Sequence, residues 1–265
     1  MKEIFGLEDE PALVVGGGFG SGRITAQLLA KAGARVAIAD IDGDRARTVA
    51  DEIGGIPVVG DITTVEGATA IVDEAHAALG GLTRVANIVG LVKMGAFIDS
   101  DFAHWDAQLR LNLYSQMFVC QAAGRHMLRE RGGSIAMVAS VSGFYGARNQ
   151  AAYGIAKAGV MSLARTLSDE WAGSGIRINC VAPDITAVPR LTETMPMPEA
   201  EALAYFDAMA VADGVPMQRF GRAHEFAQPL LFLLSDMSSF MTGQTLVVDG
   251  GTMVHFPHSS GDRKA

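Results

Sequence analysis

Four apolar residues, Ala12-Leu13-Val14-Val15, run straight into a turn with five glycines in seven positions, Gly16-Gly17-Gly18-Phe19-Gly20-Ser21-Gly22, and then into a helical pattern over 21–31. A short apolar run without polar alternation needs cover on both faces, which is the condition of a parallel sheet. The unit then repeats. Arg35–Ala39 reads as a strand and Asp42–Ile53 as a helix; Ile56–Val59, a helix over 63–79 and Val85–Val89 follow. Next come a long helix over 101–130, a strand at Ser134–Ala139, a helix over 151–173 and a strand at Ile176–Val181. A helix over 222–235 and a strand at Gln244–Val248 close the series. This is the βαβ pattern with right-handed crossovers. It predicts one α/β domain over 1–265, with a core at about 10–251 and a tail at 252–265. The architecture expected is a doubly wound parallel sheet of about seven strands flanked by helices.

Composition narrows the classes. Of 265 residues, 49% are apolar and 19% charged, enough for a sizeable core and too little charge for disorder. A net charge of −8 argues against nucleic acid, which calls for clustered Lys and Arg. No apolar run is long enough to span a membrane, and the acidic N-terminus lacks a secretory h-region. Cys120 and Cys180 form no CxxC pair and no Cys/His cluster, so neither a disulfide framework nor a zinc site is expected. A reducing, cytoplasmic setting follows as the expectation.

The glycines form a cradle. Between a strand and a helix they let backbone N–H groups approach a pyrophosphate without Cβ obstruction. The strict G-x-G-x-x-G spacing fails, because its third glycine would fall on Ser21; Gly16, Gly20 and Gly22 fit G-x-x-x-G-x-G. Asp40, at the end of the second strand, can accept hydrogen bonds from adenosine ribose hydroxyls and would repel a 2′-phosphate. With no Lys or Arg in the cradle itself, NAD is favoured over NADP. Asp61, after the third strand, sits either near an adenine or as an N-cap for the next helix.

Tyr153 and Lys157 lie four residues apart in one predicted helix and so share a face. An ammonium beside a phenol stabilises the phenolate and draws its pKa down from ~10. Tyr153 is thereby a candidate acid/base for a substrate hydroxyl or carbonyl. Ser140, just past the strand ending at Ala139, can reach the same edge of the sheet.

These segments together resemble the short-chain dehydrogenase/reductase family, in its single-domain branch with a Rossmann-like fold. The resemblance runs from Ala12 to Gly251. It rests on Val15-Gly16…Gly20-Ser21-Gly22, Asn87-Ile88-Val89-Gly90, Asn112, Ser140, Tyr153-x-x-x-Lys157, Asn179-Cys180-Val181-Ala182-Pro183 and Thr242-Gly243-Gln244…Asp249-Gly250-Gly251. It implies that Tyr153 is the acid/base, that Ser140 polarises the substrate oxygen, and that Lys157 binds the nicotinamide ribose. Asn112 would hold a water linking Lys157 to solvent, and hydride would pass to or from nicotinamide C4 with no metal. Further cofactor contacts are implied for Phe19, Ser21, Asp61, Ile62, Asn87, Gly90, Pro183 and Thr186. The chain departs from the pattern at Val15, Ser21 and Ile88. Asp184 stands where Gly usually follows the Pro, and Val188 where a Thr often contacts the carboxamide.

The segment 184–217 breaks the strand–helix rhythm with Pro189, Pro196, Pro198 and Pro216 around a helical piece at Glu199–Ala212, and reads as a substrate lid. Its Met195 and Phe206, with Met94, Ser142, Phe144, Tyr145 and Asp184, are the candidate pocket; the lid's apolar residues equally suit packing onto the body. Arg148, Arg190 and Arg219 could each meet a carboxylate. The reading is an NAD-dependent enzyme interconverting a mostly apolar secondary alcohol and its ketone. An NADPH-dependent 3-oxoacyl thioester reductase and a non-catalytic dinucleotide-binding relative are the alternatives. The helices over 101–130 and 151–173 are candidates for a homotetramer or dimer interface. The tail with His255 and His258 either reaches a neighbouring subunit or frays.

Overall fold

The computed structural model describes residues 4–130, 132–187 and 195–254. Val188, Arg190 and the tail from His255 onward lie outside them. Nine strands are described: β1 (Pro11–Val15), β2 (Arg35–Asp40), β3 (Ile56–Val59), β4 (Arg84–Asn87), β5 (Gly133–Val138), β6 (Ile176–Pro183), β7 (Thr186–Ala187), β8 (Gly221–Arg222) and β9 (Thr245–Val248). Seven of them make one parallel sheet in the order β3-β2-β1-β4-β5-β6-β9, while β7 and β8 pair separately. The helices are α1 (Gly20–Ala32), α2 (Gly43–Ile53), α3 (Val65–Leu79), α4 (Phe102–Leu109), α5 (Ser115–Glu130), α6 (Ala151–Trp171), α7 (Glu199–Ala212) and α8 (Ala223–Leu234).

The apolar strands behave as their lack of alternation requires. In β1 every residue is buried, yet successive side chains serve opposite faces. Leu13 and Val15 join the core under α3, α5 and α6, which includes Ile71, Val119 and Val160. Ala12 and Val14 join the core under α1, α2 and α8, which includes Leu29, Val49 and Leu230. Between β1 and β4 the strand order reverses, with Val15 beside Asn87 in register. In an open α/β sheet the crevice beyond the carboxyl ends at such a reversal is where ligands bind.

The helix anticipated over 101–130 is interrupted. α4 gives way to a π-helical segment, Arg110–Tyr114, before α5 resumes at Ser115. Asn112 sits in that segment with no solvent exposure. Its side chain binds the backbone of Leu91, with Oδ1 accepting from Leu91 N at 2.9 Å and Nδ2 donating to Leu91 O at 3.0 Å. A π-turn is set by such tertiary contacts rather than by local propensity, so helical periodicity does not reveal it. α3 likewise starts at Val65 under a Thr64 cap, whose Oγ1 accepts from Gly67 N at 3.1 Å. Asp61 does not cap α3; its Oδ1 accepts from Thr63 N at 2.8 Å in the preceding turn.

The far side of the sheet is tied by Arg177, at the start of β6. Its guanidinium donates to Leu233 O at 3.0 Å, Ser235 O at 3.0 Å and Ser238 Oγ at 2.8 Å, around the C-terminus of α8. The negative end of that helix favours the cation. Arg177→Met is expected to lose about 1.5–3 kcal/mol of stability, since it removes charge-assisted hydrogen bonds, although Leu233 O and Ser235 O keep other donors. A lower urea midpoint at an unchanged m-value measures it.

Candidate active site

A cavity of about 620 Å³ opens over the β1/β4 reversal. Its wall is built from the turn after β1, the ends of β2 and β3, the residues following β4, and Tyr153 on α6. Of the residues singled out for the cofactor, Gly16, Phe19, Gly20, Ser21, Gly22, Asp40, Asp61, Ile62, Gly90, Tyr153, Pro183 and Thr186 line it. Asn87 lies behind the wall, buried, with Nδ2 donating to Ser115 O at 3.4 Å.

The cradle fits a pyrophosphate. Gly16 has φ +78°, and a Cβ there would lie 2.9 Å from Val89 Cγ2. A Cβ on Gly22 would lie 1.9 Å from Gly16 O, so only glycine lets α1 close onto the turn. Phe19, the N-cap of α1, offers no side-chain cap, and the first turn carries no acid. Ser21 Oγ is buried without a hydrogen-bond partner. Open N–H groups at a helix N-terminus and an orphaned hydroxyl are what an anion's oxygens would satisfy.

At the adenosine end, Asp40 accepts from Gly18 N at 3.0 Å through Oδ2 and from Asp42 N at 3.0 Å through Oδ1. The same wall carries Arg45, which sequence reading passed over. Its guanidinium carbon stands 5.1 Å from the centroid of the Phe19 ring, and Nε lies 3.5 Å from Asp42 Oδ2. The fold brings it in from the first turn of α2. The two positions are twenty-six residues apart, so nothing local marks them as neighbours.

At the other end Lys157 is fully buried, with Nζ donating to Val138 O at 2.8 Å. Burial pushes its pKa down to about 8. Nζ stands 5.5 Å from the Tyr153 ring centroid. Burial raises the Tyr153 phenol above its ordinary value, and the nearby Ser140 hydroxyl opposes that rise. Desolvation is the larger effect for a hydroxyl set into the wall. Ser140 caps the turn after β5, its Oγ accepting from Ser142 N at 3.2 Å. A Cβ added to Gly90 would lie 2.8 Å from Lys157 Nζ and 3.1 Å from Asn112 Oδ1, so glycine alone lets those two groups face each other. Both Nδ2 hydrogens of Asn112 are spent, on Leu91 O and Gln108 O, leaving an Oδ1 lone pair on the Lys157 side.

A bound nicotinamide dinucleotide supplies a hydride donor or acceptor in such a cleft. The chain's own groups supply the rest. The Tyr153 phenol, the Ser140 hydroxyl beside it and the Lys157 ammonium 5.5 Å from its ring are a set chemically able to exchange a proton with an oxygen held between them. Neither cysteine competes as nucleophile: both are buried, and burial pushes their thiols up to about 12.

The residues expected at the substrate divide. Asp184 lines the cavity beside Tyr153 and Thr186. Met94, Phe144 and Tyr145 are exposed, and Ser142 Oγ turns to Gln150 Oε1 at 3.3 Å. Met195 is half-buried and does not reach the cavity wall. Phe206 packs with Ala210, Val215 and Phe220 in the lid's own small core. Arg219 is spent on Glu225 through Nη1 at 2.8 Å and Nη2 at 2.6 Å, so it is not free for a substrate carboxylate. A second fork, Arg222 on Asp207 at 3.0 and 2.7 Å, ties α7 to β8.

This sheet, cradle and Ser–Tyr–Lys set define a dinucleotide-dependent oxidoreductase acting on CH–OH groups. A family model described as enoyl-(acyl carrier protein) reductase matches residues 18–253. The chain belongs to the short-chain dehydrogenase/reductase family, which binds a nicotinamide dinucleotide. It is 32% identical to a 3-oxoacyl-[acyl-carrier-protein] reductase of Thermotoga maritima over 94% of this chain and 99% of that one. It is also 32% identical to 2-(S)-hydroxypropyl-CoM dehydrogenase 3 of Xanthobacter autotrophicus, covering 92% and 97%. The crystal structure of a short-chain type dehydrogenase/reductase from Mycobacterium marinum superposes with TM-score 0.84 at 30% identity, over 94% and 97% of the two chains.

Two substitutions probe the buried end. Gly90→Ala is expected to leave the circular dichroism spectrum intact while kcat falls by about 10²-fold, the cost of misplacing a positioned group by about an ångström. Lys157→Met tests the burial. With its pKa near 8 in the fold and near 10.5 in the unfolded chain, Lys157 binds more protons unfolded between those values. Stability therefore gains from this group as pH rises from about 8 to about 10.5, and is flat in it below 8. The burial cost is on the order of 3 kcal/mol. The methionine variant should lose that pH-linked rise, and its unfolding free energy at neutral pH should match or exceed wild type despite the lost hydrogen bond to Val138 O.

Proposed function

We propose that the chain interconverts a mostly apolar secondary alcohol and its ketone using NAD. The observation that carries the reaction is Tyr153, set in the cavity wall with Ser140 at its hydroxyl and Lys157 buried behind it. The apolar character is supported by Ile88, Val89, Leu91, Val92 and Leu111 along the wall. Asp184 is the exception and favours a substrate with a hydroxyl or cationic group at that end. The NAD preference rests on Asp40, whose carboxylate would meet a 2′-phosphate with like charge. By their names, the two relatives reduce an oxo group and oxidise a hydroxyl, which agrees with a carbonyl/alcohol reaction.

A second reading, an NADPH-dependent 3-oxoacyl thioester reductase, gains from Arg45, a cation that could pair with a 2′-phosphate. Exposed apolar side chains on α5 and α6, Met117, Leu128 and Ile155, support assembly into a homo-oligomer through those helices.

NADH formation across a panel of secondary alcohols, with NADP⁺ in parallel, separates the readings. Tyr153→Phe should abolish turnover with dinucleotide affinity retained. Asp40→Ala should narrow the NAD preference by about tenfold or more, worth ~1.4 kcal/mol. Arg45→Ala should weaken NADP⁺ more than NAD⁺. Better turnover with NADP⁺ in the wild type would overturn the role given to Asp40.

A further inference from the structure

Away from the cavity, α3 and α5 lie against one another over the sheet and place four side chains together. Asp73 and His76 are three apart on α3; His126 and Glu130 are four apart on α5. Residues at those spacings share a helix face, so each helix presents one imidazole and one carboxylate to the other. His76 Nε2 lies 2.5 Å from Glu130 Oε1, and His126 Nε2 lies 2.6 Å from Asp73 Oδ1. The two imidazoles stack with centroids 4.0 Å apart. One ligating atom each from His76, His126 and Glu130 fall within 4.8 Å of one another.

We infer that His76, His126 and Glu130 bind one divalent transition-metal ion of the zinc class, which ties α3 to α5. Two imidazoles and a carboxylate are a donor set that suits zinc, cobalt and nickel and is poor for magnesium or calcium. Metal–ligand bonds of about 2.0–2.2 Å in a tetrahedron need ligand atoms roughly 3.3 Å apart. Closing the site requires the two imidazoles to turn out of their stack so that both lone pairs converge on the ion, and the His76–Glu130 contact to open by about an ångström to admit it. Asp73 holds the His126 ring by hydrogen bond, the arrangement that orients ligating histidines in metal sites. The helix ends add to this. His76 is in the last turn of α3 and Glu130 is the last residue of α5, so two negative helix termini face the ion. The competing cation is Arg129, with Nη2 at 3.3 Å from His126 Nδ1; it is exposed and can swing into solvent.

The site is structural rather than catalytic. α3 leads through Gly80 toward β4, and α5 leads toward β5, so both C-termini stand at the amino edge of the sheet. Ser140 and Tyr153 stand at its carboxyl edge. The ligands come from helices fifty residues apart with no Cys/His motif, which is why the sequence carried no expectation of a metal.

The test uses the untagged full-length protein, stripped with EDTA and titrated with Zn²⁺ by calorimetry and with Co²⁺ by absorption. One equivalent should bind with micromolar or tighter affinity, raise Tm, and give the visible bands of Co²⁺ with imidazole ligands. His76→Ala and His126→Ala should each weaken binding by about 10–100-fold. Glu130→Gln should weaken it less, and His104→Ala not at all. Turnover by the histidine variants should equal wild type. The inference fails if Zn²⁺ does not bind at a hundred-fold excess, or if affinity survives both histidine changes. It also fails, whatever the variants do, if wild-type Co²⁺ spectra lack imidazole coordination; the four groups are then two hydrogen-bonded His–carboxylate pairs only.

Discussion

A fully buried ammonium is the constraint around which the rest of this structure is arranged. Lys157 keeps one short bond, to Val138 O at the end of β5, and burial draws its proton affinity down to about 8. Everything close to it comes from a different part of the chain. Gly90 after β4 leaves the space in front of Nζ empty of carbon, and Asn112 puts an oxygen across that space. Asn112 can do so because the helix carrying it widens into a π-turn, and because Leu91 holds its amide by two hydrogen bonds. A fold selected for stability alone would place an apolar side chain at this point. In the proposed reaction that charge lies behind the Tyr153 hydroxyl that exchanges the proton, which gives the cost a use.

The dinucleotide end follows a related logic, with backbone in place of side chain. α2, α3 and α4 each begin under a side-chain cap, from Asp42, Thr64 and Asp101. α1 begins under Phe19, which caps nothing. Its first turn, Gly20–Gly22, lines the cavity, and the Ser21 hydroxyl there is buried without a partner. Unsatisfied donors in a buried helix terminus are costly unless a ligand takes them. The turn that exposes them exists only because Gly16 and Gly22 accept contacts no Cβ would permit.

Much of this was legible from the chain alone, for identifiable reasons. Fully apolar strands announce a two-sided parallel sheet, and the seven-stranded sheet is the one expected. The cradle could be read because its glycines are adjacent in sequence and its position between strand and helix is local. What escaped is what depends on distant partners. The π-turn at Asn112 needs Leu91; Arg45 needs Phe19; Phe206 finds Phe220 before it finds the cavity. The lid misleads for a physical reason. An apolar residue on an insertion can pack inward on its own element or outward toward a substrate, and composition is the same in both cases. Arg219 is the polar counterpart, a free cation in sequence and a forked partner of Glu225 in space.

The two edges of the sheet are therefore built to different standards. Of the four buried polar side-chain atoms without a partner among the described residues, three belong to Ser21, Asn87 and Gln116. Ser21 lines the cavity, Asn87 ends β4, and Gln116 reaches back to Val89 O at 3.0 Å, all at the carboxyl edge. The buried ammonium and the uncapped helix are there as well. At the amino edge, Arg177 gathers the carbonyls at the end of α8, and the histidine–carboxylate pairs join α3 to α5. The fourth, Arg84 Nε, lies at the amino edge at the start of β4, so the broken rules are concentrated at the carboxyl edge rather than confined to it, as suits a site completed when its ligand binds.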